Sequence, residues 1–254
     1  MNDSSRRKLI TTGLAATAGV AGLTAAARLA DQYGLMPPDS GGLFGPGAAL
    51  TYAAQRLLTN QSLAREFPRG KISKSPYPNG KPPQDDIFTG QQASGFSEWR
   101  LSVGGMVARP ISFSLAELRS FPARSQITHL SCEEGWSYIA EWRGVPLVDV
   151  LKAVGILPQA KYVVYASLPI KRARFDSVDM ADALHPQTLI TYGMNGGELP
   201  VGHGGPLRMR VPRQLGYKSI KFMTSITVTD SLQGFGKGLG STAADAGYQW
   251  YAGI

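Results

Sequence analysis

Between Trp99 and Val228 the sequence never holds one hydrophobic period for long, because Gly, Pro and polar pairs keep cutting short apolar runs. Trp99, Leu101 and Val103 alternate before Gly104-Gly105. Strand-like runs follow at 127–130, 139–142, 162–166, 189–192, 207–211 and 220–228. Ser114-Leu115-Ala116-Glu117 has capping-box spacing and opens a short helix that ends near Phe121. Two more short helices fit 147–154 and 178–184, and Asn195-Gly196-Gly197 marks a tight turn between strands. The pattern predicts an α+β domain of mixed, mostly short, antiparallel-leaning strands with short helices. The 30 glycines and 17 prolines in 254 residues agree with it and argue against a helical bundle.

Ahead of this region, residues 48–66 have helical spacing with Leu50, Ala54, Leu57 and Leu58 on one side. Residues 68–97 hold five prolines and little periodicity, which predicts a long wrapping segment. Near its start the sequence has Ser4-Ser5-Arg6-Arg7-Lys8-Leu9-Ile10 and an uncharged stretch from Leu9 to Ala27, rich in Ala, Gly and Thr. That stretch is too weakly apolar for a good transmembrane helix and reads as a twin-arginine signal peptide. Ala25-Ala26-Ala27 ahead of Arg28 supplies a cleavage site. Leu9 stands where the motif usually has Phe, and an uncleaved anchor or a plain basic N-terminus are the alternatives. The twin-arginine route exports folded proteins, often with a cofactor already inserted, so the segment points to the periplasm.

The net charge is +8, yet no Lys/Arg run exceeds three residues and the basic residues are scattered among apolar ones. Nucleic acid is therefore not an expected partner, since a phosphate-tracking face clusters its charge. An anionic cofactor or substrate would use the same field. A single cysteine, Cys132, excludes an intramolecular disulfide and leaves a buried filler, a reactive thiol or a metal ligand. It sits in Leu130-Ser131-Cys132-Glu133-Glu134-Gly135-Trp136-Ser137, where a strand would deliver the thiol at its end and Gly135 would turn the chain. Glu133 and Glu134 would raise its pKa, which disfavours a bare thiolate, whereas a metal would deprotonate it outright. A second block, His203-Gly204-Gly205-Pro206-Leu207-Arg208, continues into Gly216-Tyr217-Lys218-Ser219-Ile220-Lys221. It offers backbone amides, a hydroxyl and cations suited to a phosphate.

Together the two blocks resemble the molybdopterin-binding domain of the sulfite oxidase family. The likeness runs from about Trp99 to Val228 and includes Gly144-Val145-Pro146-Leu147. The Cys-Glu-Glu-Gly-Trp-Ser wording is more similar to the bacterial periplasmic branch, which includes catalytic subunits of methionine sulfoxide reductase, than to animal sulfite oxidases. The resemblance implies a sulfite-oxidase-type fold, with 1–27 as signal, 28–97 as an N-terminal helix and wrapping segment, and 98–254 as the molybdopterin-binding oxidoreductase domain. It implies that Cys132 ligates molybdenum (or tungsten) and that His203, Arg208, Ser219, Ile220 and Lys221 contact the pterin and its phosphate. Ser167 matches a cofactor-contacting hydroxyl of the periplasmic branch, and a plain strand-end serine is the alternative. The periplasmic reductase carries Asn where His203 stands. His129 and His185 have no counterpart and are expected as surface or hydrogen-bonded core residues.

Two departures bear on activity. The family's upstream Phe-x-Arg-Asn-His segment, whose Arg helps hold sulfite, is represented by Phe88-Thr89-Gly90-Gln91-Gln92, with no Arg. Tyr251, in Tyr248-Gln249-Trp250-Tyr251, matches the segment bearing an active-site tyrosine, with aromatic packing of the tail as the alternative. No immunoglobulin-like dimerisation domain is expected, hence a monomer. Three histidines and no Cys-x-x-Cys-His leave no room for a built-in haem of familiar type. The expectation is a periplasmic molybdenum-dependent oxidoreductase that transfers an oxygen atom on a small S- or N-oxide and exchanges electrons with a haem-containing membrane partner. Sulfite-dehydrogenase-like oxidation, a non-catalytic binding protein on the same fold and a thiol hydrolase using Cys132 with a histidine are the competing readings.

Overall fold

The alternating runs form two five-stranded sheets around a shared core. The computed structural model describes residues 28, 30, 34–41, 45–168 and 174–254, and the expected signal segment 1–27 lies outside them. One unit of the chain ends at Thr59 and contains helix α1 (Gly45–Leu58), which stops short of the 66 that its spacing suggests. Leu50, Leu57 and Leu58 on that helix are exposed.

The second unit, Asn60–Ile254, starts as an extended path. Glu66 bridges Thr128, Phe67 N–H donates to Ile127 O, and Ser73 N–H donates to Ile139 O. Helix α2 (Asp86–Ala93) follows, within a stretch where hydrophobic periodicity reveals no helix. It is started by the Asp85 carboxylate, which accepts from Phe88 N–H, and it buries one ring instead of an apolar stripe. The chain continues through β1 (Arg100–Gly105), β2 (Ile111–Ser114) and α3 (Leu115–Ser120), then β3 (Arg124–Ser131) and β4 (Ser137–Pro146). Next come α4 (Leu147–Val154), β5 (Tyr162–Ser167), β6 (Phe175–Asp179), α5 (Met180–Ala183) and β7 (Leu189–Met194). The last elements are β8 (Gly197–Glu198), β9 (Arg208–Arg210), β10 (Met223–Thr229) and α6 (Thr242–Asp245).

One sheet has the order β2-β1-β10-β5-β6; the other runs β3-β4-β7-β8, with β9 also pairing β7. All pairings are antiparallel except β1 with β10. Local chemistry accounts for the joints. Ser114 and Glu117 form the reciprocal capping box at α3. Asn195 and Gly196 both take positive φ and place Met194 opposite Gly197, the two-residue turn expected there. The helix expected over 178–184 begins only at Met180, because Asp179 caps it and Val178 stays in β6. Leu147, Val150, Leu151 and Val154 form the buried stripe of α4, packed with Leu101, Val103, Val163 and Ile226 of one sheet and Ile190 and Met209 of the other. Gly144 sits at a register shift between β4 and β7, where a Cβ would come within 2.2 Å of Ile190 O. Only glycine fits that approach.

A buried polar network ties the C-terminal segment to β6. Lys218 Nζ lies 2.7 Å from Asp176 Oδ1 and donates to Ser177 O at 3.0 Å. Ser241 Oγ donates to the other Asp176 oxygen, and Trp250 Nε1 donates to Ser177 Oγ at 2.8 Å. Lys218 and Asp176 are both fully buried. Burial pushes the Asp176 carboxyl up, against the pull of the Lys218 ammonium. Lys218→Met strands that carboxylate and is expected to cost about 3–5 kcal/mol in urea unfolding, whereas Lys218→Met with Asp176→Leu recovers most of the loss. Equal instability of the single and double variants would mean the network is held by packing instead.

Candidate active site

Cys132 opens the turn that joins β3 to β4. Its N–H donates to Trp136 O at 3.0 Å and its carbonyl accepts from Gly135 N–H at 3.1 Å, so the backbone on both sides is fixed. Gly135 makes the turn with φ +91°. The side chain is 9% exposed, and Sγ donates to Glu133 Oε2 at 3.1 Å. Burial first, then the hydrogen bond and charge of Glu133 with the charge of Glu134, push the thiol up to about 12, against an opposing backbone N–H at Glu134. Without a metal it is a protonated thiol at neutral pH. Among the described residues its Sγ is hydrogen-bonded to the Glu133 carboxylate and to no histidine.

The second block reaches the first through Gly216. A Cβ there would lie 3.2 Å from Leu130 Cδ2 and Ser131 O and 3.6 Å from Cys132 Cα. Tyr138, beside Leu130 in the β3–β4 ladder, places its hydroxyl 3.3 Å from His203 Nδ1. His203 O accepts from Arg208 Nη1 at 2.7 Å, and Ser219 O accepts from Arg208 Nη2 at 3.0 Å. Arg208 also bridges Lys221, whose Nζ donates to Gly202 O and Asn79 O at 2.6 Å. Gly204 and Gly205 permit this closeness: a Cβ on either would fall within 3 Å of Lys221 or of Leu199 O.

The result is a cluster of buried positive charge with no carboxylate paired to its arginines among the described residues. Arg208 and Arg210 are 4% and 0% exposed, and among the described residues no carboxylate forms an ion pair with either. Arg208 Nε and Arg210 Nε and Nη1 are buried without any hydrogen-bond partner. Burial, then the neighbouring Arg208, lowers Arg210 to about 9 and Lys221 to about 7. Burial, with Arg208 and Lys221, lowers His203 to about 4, so this imidazole is neutral. Buried donors and cations without a counter-charge fit an anionic cofactor.

The remaining candidates fall at different depths. Ser167 ends β5 opposite Met223, and its Oγ accepts from Arg174 N–H at 2.9 Å. The Ser219 hydroxyl turns to Val211 N–H, and the Ile220 side chain is buried in the main core. Tyr251 is 9% exposed, with its ring against Gly253, in a segment whose Ala252 O accepts from Leu215 N–H, next to Gly216. His129 contacts Ser131 Oγ at 3.0 Å, and His185 is buried and accepts from Gln187 N–H, so both are hydrogen-bonded as expected. Gln91 Oε1 is buried without a partner. The residues that sequence reasoning passed over are Tyr138, Trp142 and Arg210. Strict alternation in Leu207–Val211 was the available signal for Arg210, since it places Arg208 and Arg210 on one face.

The neutral His203 has a pH consequence. Between about 6.5 and about 4 the unfolded chain binds a proton that the folded chain refuses, so stability falls as pH drops through that window. His203→Asn is expected to flatten this part of the curve of thermal midpoint against pH in the cofactor-free chain. Parallel curves for the two proteins would show that His203 is not held neutral.

Residues 89–234 match the family model of the oxidoreductase molybdopterin-binding domain. YedZ1 of Azospira oryzae, named as a protein-methionine-sulfoxide reductase subunit, is 36% identical over 78% of this chain and 70% of its own length. The protein-methionine-sulfoxide reductase catalytic subunit MsrP of Xanthomonas axonopodis pv. citri is 36% identical over 54% of this chain and 46% of its own. The Ralstonia nicotianae MsrP is 33% identical over 52% and 44%. The chain thus spans about half the length of the MsrP relatives it matches. The sulfane dehydrogenase SoxCD of Paracoccus pantotrophus shares the fold, with a TM-score of 0.50 at 20% identity over 67% of this chain and 46% of that one. With its cysteine turn set against a buried cationic pocket, the chain belongs to the sulfite-oxidase-type oxidoreductase molybdopterin-binding domain family, whose cofactor is molybdopterin.

Proposed function

We propose that this oxidoreductase transfers an oxygen atom from a small S- or N-oxide in the periplasm, using electrons delivered by a separate, haem-bearing membrane partner. The observation that carries it is the contact of the Cys132 turn with Gly216, at the edge of a buried cationic pocket that holds no acid. Cys132 would ligate the metal, and Arg208, Lys221 and the backbone around Gly204, Gly205 and Ser219 would hold the pterin and its phosphate. When bound, the molybdenum cofactor supplies the two-electron chemistry that takes an oxygen atom from the substrate. The balance is sulfoxide plus two electrons and two protons giving sulfide and water. On the protein side, burial keeps the Tyr138 hydroxyl protonated, with Arg208 and Arg210 pulling the other way. Tyr251, in the segment beside Gly216, is the candidate proton-bearing group at the substrate.

Reduction of an S-oxide is favoured over sulfite oxidation because Gly90 of helix α2 stands where the sulfite-holding arginine would be. The names of the relatives, methionine-sulfoxide reductase subunits, point the same way and suggest a partner subunit. Export rests on the Arg6-Arg7 segment. Chain exported through its own signal in a molybdate-supplied host should carry about one molybdenum and one pterin per chain. Cys132→Ser should fold but lose sulfoxide reduction. Full molybdenum-dependent turnover by Cys132→Ser would remove Cys132 as ligand, and a folded, metal-free wild type would favour a binding protein on the same fold.

A further inference from the structure

The extended stretch that opens the second unit carries charge that no role assigned above uses. From Asn60 to Gln84 the chain has Arg65, Arg69, Lys71, Lys74 and Lys81 against a single acid, Glu66. Five cations and one acid leave +4 there, half of the chain's net +8. All five cations are exposed. Glu66 is already engaged, by an ion pair with Arg124 and a hydrogen bond from Gln187 Nε2. Arg69 pairs with Glu141, yet its side chain remains 70% exposed. Among the described residues no carboxylate forms an ion pair with Arg65, Lys71, Lys74 or Lys81.

The stretch is fixed in place, and mainly by its backbone. Glu66 bridges Thr128, and Phe67 N–H donates to Ile127 O. Ser73 N–H donates to Ile139 O at 2.9 Å, and Ser73 Oγ accepts from Ile139 N–H at 3.1 Å. Tyr77 lays its ring 5.1 Å from that of Trp136 in the Cys132 turn, and Asn79 O accepts from Lys221. Glu134 of that turn is taken by Trp136 Nε1 at 2.7 Å. The side that makes these ties faces β3, β4 and the site, so the cations are left on the outer side. Two apolar side chains, Leu63 and Tyr77, are exposed among them. Just ahead in the chain, helix α1 leaves Leu50, Leu57 and Leu58 exposed as well.

We propose that the outer side of residues 63–81 is a membrane-contact surface that rests on anionic phospholipid headgroups. Charge complementarity carries it: a run of outward cations without free acids meets a layer of phosphates, and each Lys or Arg near such a surface adds attraction. The shape of the run chooses a bilayer over an acidic protein. Its charges are strung along an extended chain instead of gathered round one anchor, and a headgroup layer demands no matched footprint. Leu63 and Tyr77 suit the interface, where an apolar body and a polar tip are both accommodated. No helix among the described residues is long and apolar enough to cross a membrane, so this contact is peripheral. Its consequence rests on the proposed function: Tyr77 touches the Cys132 turn, so a bilayer under this stretch brings that turn close to a membrane partner.

The test is co-sedimentation of the chain, exported through its own signal, with vesicles of phosphatidylcholine alone or mixed with phosphatidylglycerol. Wild type should sediment with the anionic vesicles at about 0.1 M salt and be released at about 0.5 M, where exposed charges are screened. Lys71→Glu with Lys74→Glu and Lys81→Glu should weaken that partition at least about a hundred-fold. Arg109→Glu with Lys152→Glu and Lys161→Glu makes the same change of net charge at exposed positions elsewhere and should alter it less than about ten-fold. Equal loss in both triple variants would mean that net charge alone drives binding, and the proposal falls. It falls too if wild type ignores anionic vesicles, which leaves an acidic protein as the partner of the stretch. Binding of all three proteins alike, or binding to neutral vesicles, places the contact in another part of the chain and overturns it. Should the Glu variant of the stretch fail to fold, Lys→Gln at the same three positions decides, with about ten-fold weaker partition in support and unchanged partition against. Vesicle binding needs no cofactor, so the two readings separate. Segment-dependent binding by a chain that carries no molybdenum upholds the surface and defeats the proposed function, and a molybdenum-loaded chain that never binds defeats the surface alone.

Discussion

The constraint on which the site depends is the burial of positive charge without a matching acid. Moving a guanidinium out of water is expensive unless its hydrogen bonds and its charge are met. Arg208 meets part of that demand with the carbonyls of His203 and Ser219, and Arg210 meets part with His129 O and Thr128. Trp142 offers its ring face to both. None of these partners carries a negative charge. Repulsion between the two arginines is left standing in the protein alone, as the lowering of Arg210 by Arg208 shows. The fold accepts this because large apolar burial elsewhere, on α4 and the facing sheets, carries its stability.

The same economy governs Cys132. The thiol is placed by backbone alone: a strand end, a glycine turn and two main-chain hydrogen bonds. Gly216 then lets the second block press against it. Gly216 is held in turn by the residues that follow. Lys218 is anchored to Asp176, and Tyr165 donates its hydroxyl to Lys218 O at 2.8 Å. Trp250 and Ser241 join that network from the C-terminal segment, which also brings Tyr251 to the neighbourhood. A buried ion pair is weak evidence for stability, but here its geometry sets where one loop lies against another.

Much of this was legible in the sequence, for definable reasons. Capping residues and strict alternation are local, so the helix at Leu115–Ser120, the helix at Leu147–Val154 and the Asn195-Gly196 turn could be read directly. Helix α2 could not, because its only buried side chain is Phe88 and its start depends on one capping aspartate. The start of α5 was misplaced for a similar reason: Val178 fits either a strand or a helix, and Asp179 decides between them. The cysteine block and the His-Gly-Gly-Pro-Leu-Arg block could be found as motifs. Arg210 could not be weighed, because its hydrogen bonds run from β9 to Thr128 and His129 on β3, a long-range contact that no local pattern shows. Ser219 and Ile220 show the converse, since a motif names them while their side chains turn to Val211 N–H and to the core.

The residues beside the Cys132 thiol and those around Arg208 differ in the sign of their charge. Glu133 and Glu134 follow the thiol in the chain and raise its pKa, while Arg208 and Arg210 hold the region beyond Tyr138 and His203 positive, with Lys221, lowered to about 7, only partly charged there. An anion is drawn to the cationic pocket and away from the carboxylates. A metal ion at the thiol gains from the same carboxylates, which favour positive charge beside the sulfur they would otherwise keep protonated. Neutral His203 lies between, so it adds no third charge to the arginines and still offers a ring nitrogen to Tyr138. A protein that used Cys132 as a nucleophile would need those signs reversed, with cations beside the sulfur to stabilise its thiolate.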